Sequence, residues 1–129
     1  MIKYFPIESK APWTDADAAD LVSFDWQRET ATFEIRNDDR VLEVSFLGYG
    51  VIVRMLDEFP LSTESHPGDW AGLVPHHFAY RVEGDPFFEA QSESWCISQG
   101  SPKHYRFITG CGCLDVISNG EPAFALIRR

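Results

Sequence analysis

The residues of this sequence that could bind a metal ion lie near its C-terminal end. Cys111 and Cys113 flank a single glycine, and His104 lies shortly before them. Thiolate and imidazole groups are the ligands that zinc prefers, but paired cysteines in zinc knuckles usually have two residues between them. Cys96 is the third cysteine, and an odd, small number argues against a disulfide framework. We predict reduced, buried thiols with no metal and no cofactor, and keep a zinc site as the alternative.

Two adjacent histidines, His76 and His77, are the second candidate for chemistry. Neighbouring side chains of an extended strand point to opposite faces, so the pair could serve one site only if the backbone is irregular beside Pro75. One histidine could then meet Asp69 or His66; otherwise one is partly buried and the other solvated. A hydrolase or isomerase would need two titratable groups, such as His77 and Glu58, to converge in one pocket.

Motifs of nucleophilic and phosphate chemistry are absent from the sequence. It contains no Gly-x-Ser-x-Gly elbow and no glycine-rich phosphate loop of standard spacing. The carboxylate pairs Asp38-Asp39 and Asp57-Glu58 lie in predicted turns, where such groups are usually solvated or cap the backbone. We therefore favour a non-enzymatic protein, with catalysis by His76 or His77 as an alternative.

Strands must position these residues, because alternation of apolar and polar side chains is the strongest pattern in the chain. It runs through residues 31–36, 41–46 and 51–56, with turn-forming residues at 37–40 and glycines at 48 and 50. We predict that these three runs form an antiparallel meander with one buried face.

The register of this meander follows from placing the apolar residues on one face. With four-residue loops, Glu43 would lie opposite Arg54, a favourable pair of opposite charges. The same register would set Glu34 opposite Glu43, a like-charge contact that Arg36 or Arg54 would have to relieve.

The remaining sequence predicts further short elements around the meander. They are a strand at 2–7, a helix at 15–21, an extended segment at 22–26, a long irregular loop at 61–75, a strand at 76–83, a helical turn at 87–92 after Gly84-Asp85-Pro86, strands at 94–98, 104–109 and 113–117, and an edge strand at 123–127. We predict one domain over residues 1–129, mainly β and bordering on α+β. Its antiparallel, meander-based sheet would curl into a barrel or sandwich, with one or two short helices.

Charge and composition restrict the partners. The 129 residues carry a net charge of −9, which disfavours binding to nucleic-acid phosphates and favours a basic partner. No apolar run approaches the roughly 20 residues that cross a membrane, and the first residues lack a secretory signal. We therefore expect a cytoplasmic protein.

In size, acidity and strand content the chain resembles immunity proteins of bacterial toxin systems, and equally many uncharacterised bacterial domains. The resemblance implies a protein without a catalytic signature that binds a basic partner. It does not assign a role to any individual residue of this chain.

Our principal prediction is a non-catalytic protein-binding module with an acidic surface near its strand ends, to which Asp38 and Asp39 contribute. The residues expected to form its binding surface are Asp57, Glu58, Asp69, Trp70, His76 and His77. The alternative is a small-ligand-binding barrel or sandwich, with the 61–75 loop as a lid and Arg54 with His76 or His77 as polar anchors. A homodimer formed through an edge strand or an aromatic patch is a further prediction.

Overall fold

Residues 1–9, 19–48, 50–57, 70–110 and 112–128 are described by a computed structural model of the chain. The strands of this part are β1 (Ile2–Pro6), β2 (Ala19–Asp25), β3 (Thr30–Ile35), β4 (Arg40–Phe46), β5 (Val51–Leu56), β6 (Trp70–Ala71), β7 (Ala79–Glu83), β8 (Lys103–Ile108), β9 (Cys113–Ser118) and β10 (Pro122–Arg128). Two short helices, α1 (Pro86–Glu89) and α2 (Glu93–Ser98), lie between β7 and β8. None of the described helices has the length and apolar character needed to span a membrane.

The strands form two sheets that pack face to face. Sheet A has the order β5-β9-β8-β7-β1-β6, and sheet B has the order β10-β4-β3-β2. All neighbouring strands are antiparallel except β1 and β6, which run parallel. The predicted fold class, mainly β with one or two short helices, is confirmed as a two-sheet arrangement and not a closed barrel.

The core between the sheets is built from the alternating apolar residues of the strands. Sheet B contributes Ala31, Phe33, Leu42, Val44 and Phe46, and sheet A contributes Val51, Ala79, Tyr105, Phe107, Leu114 and Val116. The predicted burial of one face is thereby confirmed for the runs at 31–36 and 41–46. Burial of this apolar surface is the main force that holds the two sheets together.

The turn between β3 and β4 begins one residue earlier than predicted. Asn37 adopts a left-handed conformation with φ of 60°, and the Asp38 carboxylate accepts a hydrogen bond from the Arg40 backbone N–H. The pairing of the strands therefore shifts: Thr32, and not Glu34, lies opposite Glu43. The like-charge contact that the sequence suggested does not form.

The predicted pairing of β4 with β5 is wrong, because the chain changes sheets between them. β10 occupies the free edge of β4, while β5 pairs with β9 at the edge of sheet A. The predicted cross-strand pair of Glu43 with Arg54 is consequently replaced by Arg54 opposite Asp115. Local alternation specifies which face of a strand is buried, but not which edge the strand joins.

A second crossing, from β9 to β10, passes directly against the first. A Cβ atom on Gly48 would lie 2.3 Å from Asn119 Oδ1, and one on Gly120 would lie 2.9 Å from the Gly48 nitrogen. Asn119-Gly120 therefore makes no hairpin between β9 and β10; it is where one connection packs on the other. The predicted edge position of the last strand is confirmed, since β10 ends sheet B.

The helices agree with the sequence at one of three places. Asp85 caps α1, with Pro86 at its first position, as predicted. The predicted strand at 94–98 is instead α2, because the Ser92 hydroxyl caps the Trp95 N–H and starts a helical turn. The predicted helix at 15–21 lies outside the described residues up to position 18, and its last residues, from Ala19, belong to β2.

Candidate functional site

The residues predicted to form a binding surface are divided between opposite edges of sheet A. Asp57 is exposed just after β5, whereas Trp70 lies in β6, at the other edge. Trp70 is partly buried and packs against the apolar cluster that contains Ile2 and Tyr80. Glu58 and Asp69 lie outside the described residues, as does most of the predicted lid at 61–75.

The two histidines also point to different surroundings. His76 is exposed, with a left-handed φ of 67°, whereas the His77 ring packs edge-on against Tyr80. His77 Nε2 lies 2.9 Å from the carbonyl oxygen of Ile7. His77 thus packs on Tyr80, which belongs to the same apolar cluster that Trp70 contacts, and neither histidine is near Arg54 or Asp57 at the β5 edge.

A buried group of charged side chains, which sequence reasoning missed, lies on the face of sheet A that is turned away from sheet B. Its centre is Asp115 on β9, whose side chain is fully buried. One carboxylate oxygen accepts hydrogen bonds from His104 Nε2 and Arg106 Nε, both at 2.7 Å. The other accepts from Arg54 Nε at 3.1 Å and from its Nη2 at 2.9 Å. Strands β5, β8 and β9 are thereby joined by charge-assisted hydrogen bonds.

Arg106 extends this group to two further elements. Its Nη1 donates to the Tyr4 hydroxyl at 2.8 Å, and its Nη2 donates to Asp85 Oδ2 at 2.9 Å. Asp85 in turn accepts from the Phe87 N–H as the cap of α1. The six residues Tyr4, Arg54, Asp85, His104, Arg106 and Asp115, here called the Asp115 cluster, therefore connect β1, β5, β8, β9 and α1.

Aromatic rings of α1 cover part of this cluster. Phe88 stacks nearly parallel to the His104 ring, with centroids 6.3 Å apart, and Phe87 meets the same ring edge-on at 5.6 Å. The Arg54 guanidinium lies 4.1 Å from the centre of the Phe87 ring, a cation–π contact. The rings restrict the access of water and so strengthen the charge interactions beneath them.

The pKa values of the cluster follow from burial and from its charges. Burial raises the pKa of Asp115, but the hydrogen bond from His104 and the positive charge of Arg106 outweigh it and lower that pKa to about 2. Burial also raises the pKa of Tyr4 to about 12, against the opposing effect of Arg106. Asp115 is consequently ionised, and Tyr4 protonated, across the physiological pH range.

Acid should weaken the fold through Asp115. Its pKa in the folded state, about 2, lies below the ordinary value of 3.8. The ionised carboxylate therefore stabilises the folded state at every pH above that ordinary value. That contribution, about 2 kcal/mol, should be lost as the pH falls from about 5 towards 2. The loss is measured by urea unfolding of the wild-type protein and of Asp115→Asn at the two ends of this pH range. The prediction fails if the variant loses as much unfolding free energy on acidification as the wild-type protein does.

The cysteines give no sign of a metal centre in the described part of the chain. Cys113 is buried, and burial raises the pKa of its thiol to about 12, as expected for an unreactive side chain. Within the described residues no three histidine, cysteine or acidic side chains converge as metal ligands would. Cys111, which the alternative zinc site requires, lies outside those residues.

A second charged region is the outer face of sheet B. Its outward positions, alternate to the core residues, are Asp20, Ser23 and Asp25 on β2, Thr30, Thr32 and Glu34 on β3, Val41, Glu43 and Ser45 on β4, and Ala123, Ala125 and Ile127 on β10. Every one of them except Thr30 keeps exposed or partly exposed surface. Four are carboxylates and none is basic, so these positions carry a strongly negative charge.

The carboxylates of this face differ in their surroundings. Asp20 lies directly opposite Glu34, and its Oδ1 atom is buried without a hydrogen-bond partner among the described residues. Glu43 receives one contact, at 3.4 Å, from Arg28 in the β2–β3 turn. Trp26 in the same turn is 66% exposed. Tryptophan is enriched at protein-binding surfaces, and this exposed tryptophan lies at one end of the acidic strand face.

No protein-family model matches the chain, and neither a curated protein nor a solved structure is significantly similar to it.

Proposed function

We propose that this chain is a non-catalytic binding protein that receives a basic protein partner on the outer face of sheet B. The observation that carries the proposal is the group of four carboxylates, Asp20, Asp25, Glu34 and Glu43, on a face whose outward strand positions contain no basic residue. Lysine or arginine side chains of a partner would form charge-assisted hydrogen bonds with these carboxylates.

The charge of the whole chain supports the same type of partner. A net charge of −9 attracts a basic protein from a distance, and the carboxylates of sheet B would then orient it. A second copy of the chain would instead bring the same four carboxylates against each other. The homodimer predicted from the sequence would therefore have to use another surface, such as the edge at β5, where Met55 is 46% exposed.

Trp26 is the residue of this surface best suited to anchor a partner. It lies directly after Asp25 in the β2–β3 turn, and most of its side chain is in contact with solvent. Tryptophan is among the residues that contribute most to protein–protein affinity, because its large ring buries much apolar area at little entropic cost. We assign the affinity mainly to Trp26 and the orientation and association rate to the carboxylates.

Neutralising the central carboxylates should reduce binding of the partner about tenfold or more, and most strongly at low salt. The variant is Asp20→Asn/Glu34→Gln/Glu43→Gln. Partners are captured from the native host at low salt, identified, and their dissociation constants are then measured at two salt concentrations. The matched control, Glu8→Gln/Glu93→Gln/Glu121→Gln, removes the same formal charge from exposed positions elsewhere. It should change the dissociation constant by no more than about twofold.

Two results would contradict the proposal. One is that the native host yields no protein partner at low salt. The other is that the captured partner binds the sheet B variant and the control variant equally well, which would place its site on another surface. Trp26→Ala provides an independent check, since it leaves the charge unchanged and should mainly raise the dissociation rate.

A further inference from the structure

A surface cavity of about 400 Å³ lies at the opposite side of the molecule from sheet B's outer face, beside the Asp115 cluster. Its wall is formed by the end of β7, helix α1 and the start of β8. The lining residues on which the argument depends are Val82, Phe88, Glu89, Pro102, Lys103 and His104. The volume lies within the range of small-molecule sites in proteins.

The polar atom of interest beside this cavity is Nδ1 of His104, a residue that lines it. Asp115 is ionised and takes the hydrogen bond of the other ring nitrogen, so Nε2 carries a proton. In the neutral ring Nδ1 is then a hydrogen-bond acceptor. It is buried and has no partner among the described residues, and the His104 side chain is only 1% exposed. A buried acceptor without a donor destabilises the structure that contains it.

Phe88 covers one face of the His104 ring at the edge of the cavity. Its ring is offset-stacked on His104 and itself lines the cavity. Phe88 is carried by a helix of four residues, and it is only partly buried. A rotation of the Phe88 side chain would open a path from the cavity to the His104 ring, since aromatic side chains at the surface change rotamer readily.

The charges at the rim favour an uncharged ligand. Arg81 is paired with Glu83, and Lys103 and Glu89 add one further charge of each sign. The remaining wall is largely apolar, from Val82, Phe88 and Pro102. Nothing in this balance would favour the burial of a net charge.

We propose that this cavity binds a small, neutral aromatic molecule through a single N–H or O–H group, which donates to Nδ1 of His104 while its ring packs on Phe88 and Pro102. The site is independent of the proposed protein-binding face, which lies on the other sheet.

The test uses indole and its isostere benzothiophene as probes. The two have the same shape, but benzothiophene is more apolar and lacks the N–H donor. Binding is followed by NMR at millimolar probe concentration, using the backbone signals of residues 82–89 and 101–104 and the side-chain ¹⁵N signal of His104 Nδ1. Indole should bind about tenfold more tightly than benzothiophene, and only indole should shift the Nδ1 signal.

The competing explanations predict different results. A merely apolar cavity would bind benzothiophene more tightly than indole, and an Nδ1 atom that is satisfied by water would show no binding of indole; either result overturns the proposal. His104→Phe should remove the preference for indole while retaining an aromatic ring on β8. If that variant does not fold, the Nδ1 signal of the wild-type protein decides, because it needs no substitution.

Discussion

Replacing Asp115 by alanine is expected to lower the free energy of unfolding by about 3–5 kcal/mol. The carboxylate is fully buried and is the shared acceptor for two guanidinium groups and one imidazole. Its removal would take one of two carboxylate partners from Arg106, whose side chain is 6% exposed, and would leave the cluster with two guanidinium groups and only the Asp85 carboxylate in a region that water scarcely reaches. The loss should appear as a lower urea midpoint with an unchanged slope.

A matched exposed pair separates this effect from ordinary surface electrostatics. Asp39 accepts a hydrogen bond from Arg128 at 2.8 Å, but the two side chains are 63% and 74% exposed. Asp39→Ala should therefore lower the unfolding free energy by no more than about 1 kcal/mol. Equal losses in Asp39→Ala and Asp115→Ala would show that the Asp115 cluster contributes no more than a surface contact.

A third variant tests why the cluster is costly to break. Replacing its central members together, Asp115→Leu with Arg106→Met and His104→Phe, is combined with Asp85→Asn, so that no buried Asp85 carboxylate is left without its Arg106 partner. Such replacements of buried ion pairs are often neutral or stabilising. We expect this quadruple variant to be more stable than Asp115→Ala alone, because the penalty comes from removing one member of a buried charge group and leaving the others.

The sequence predicts where the strands of this fold lie better than it predicts which strands pair with each other. Alternation located the buried faces of β3, β4 and β8, and Asp85-Pro86 located the start of α1. It could not show that β5 leaves its hairpin, because Val51 and Val53 fit the inner face of either sheet. The sheet that β5 joins depends on the contact between the β4–β5 connection at Gly48 and the β9–β10 connection at Gly120. These two segments are distant in sequence, so no local pattern predicts their contact.

The Asp115 cluster was missed for a related reason, since local alternation does not show which other elements cover a strand. Arg54, Arg106 and Asp115 each occupy the polar phase of an alternating strand, a phase that normally faces solvent. Here the polar phase of sheet A is covered by α1, so these side chains are buried against each other. Opposite charges at the polar positions of separate strands could have indicated this cluster. The register predicted from the sequence instead pairs Arg54 with Glu43.

The sequence shows an excess of negative charge but does not show where the carboxylates lie in the fold. Asp38 and Asp39 were expected to present negative charge, but Arg40 and Arg128 pair with them. The carboxylates that share one open face, Asp20 and Glu34, lie in different strands and become neighbours only through the β2–β3 pairing. Net charge indicates the type of partner, whereas the location of the charge depends on topology.

The second large effect is expected from Phe107→Ala, which should lower the free energy of unfolding by about 3–5 kcal/mol. Phe107 is fully buried on the inner face of β8. Its ring lies 5.8 Å from Phe33, 5.9 Å from Phe46, 5.8 Å from Phe78 and 6.4 Å from Phe124, centroid to centroid. Three of these rings belong to sheet B, so truncation would leave a cavity at the centre of the contact between the sheets.

The size of this loss depends on whether the sheets can close the cavity. Phe107→Leu retains most of the volume and should cost about 1.5 kcal/mol or less if the surrounding rings can adjust. Phe5→Ala is the control, since Phe5 is 37% exposed and its ring contacts the Arg81 guanidinium at the surface. Urea unfolding followed by tryptophan fluorescence measures all three variants. Equal losses for Phe5→Ala and Phe107→Ala would contradict the arrangement, because a ring that joins two sheets must contribute more than one at their margin.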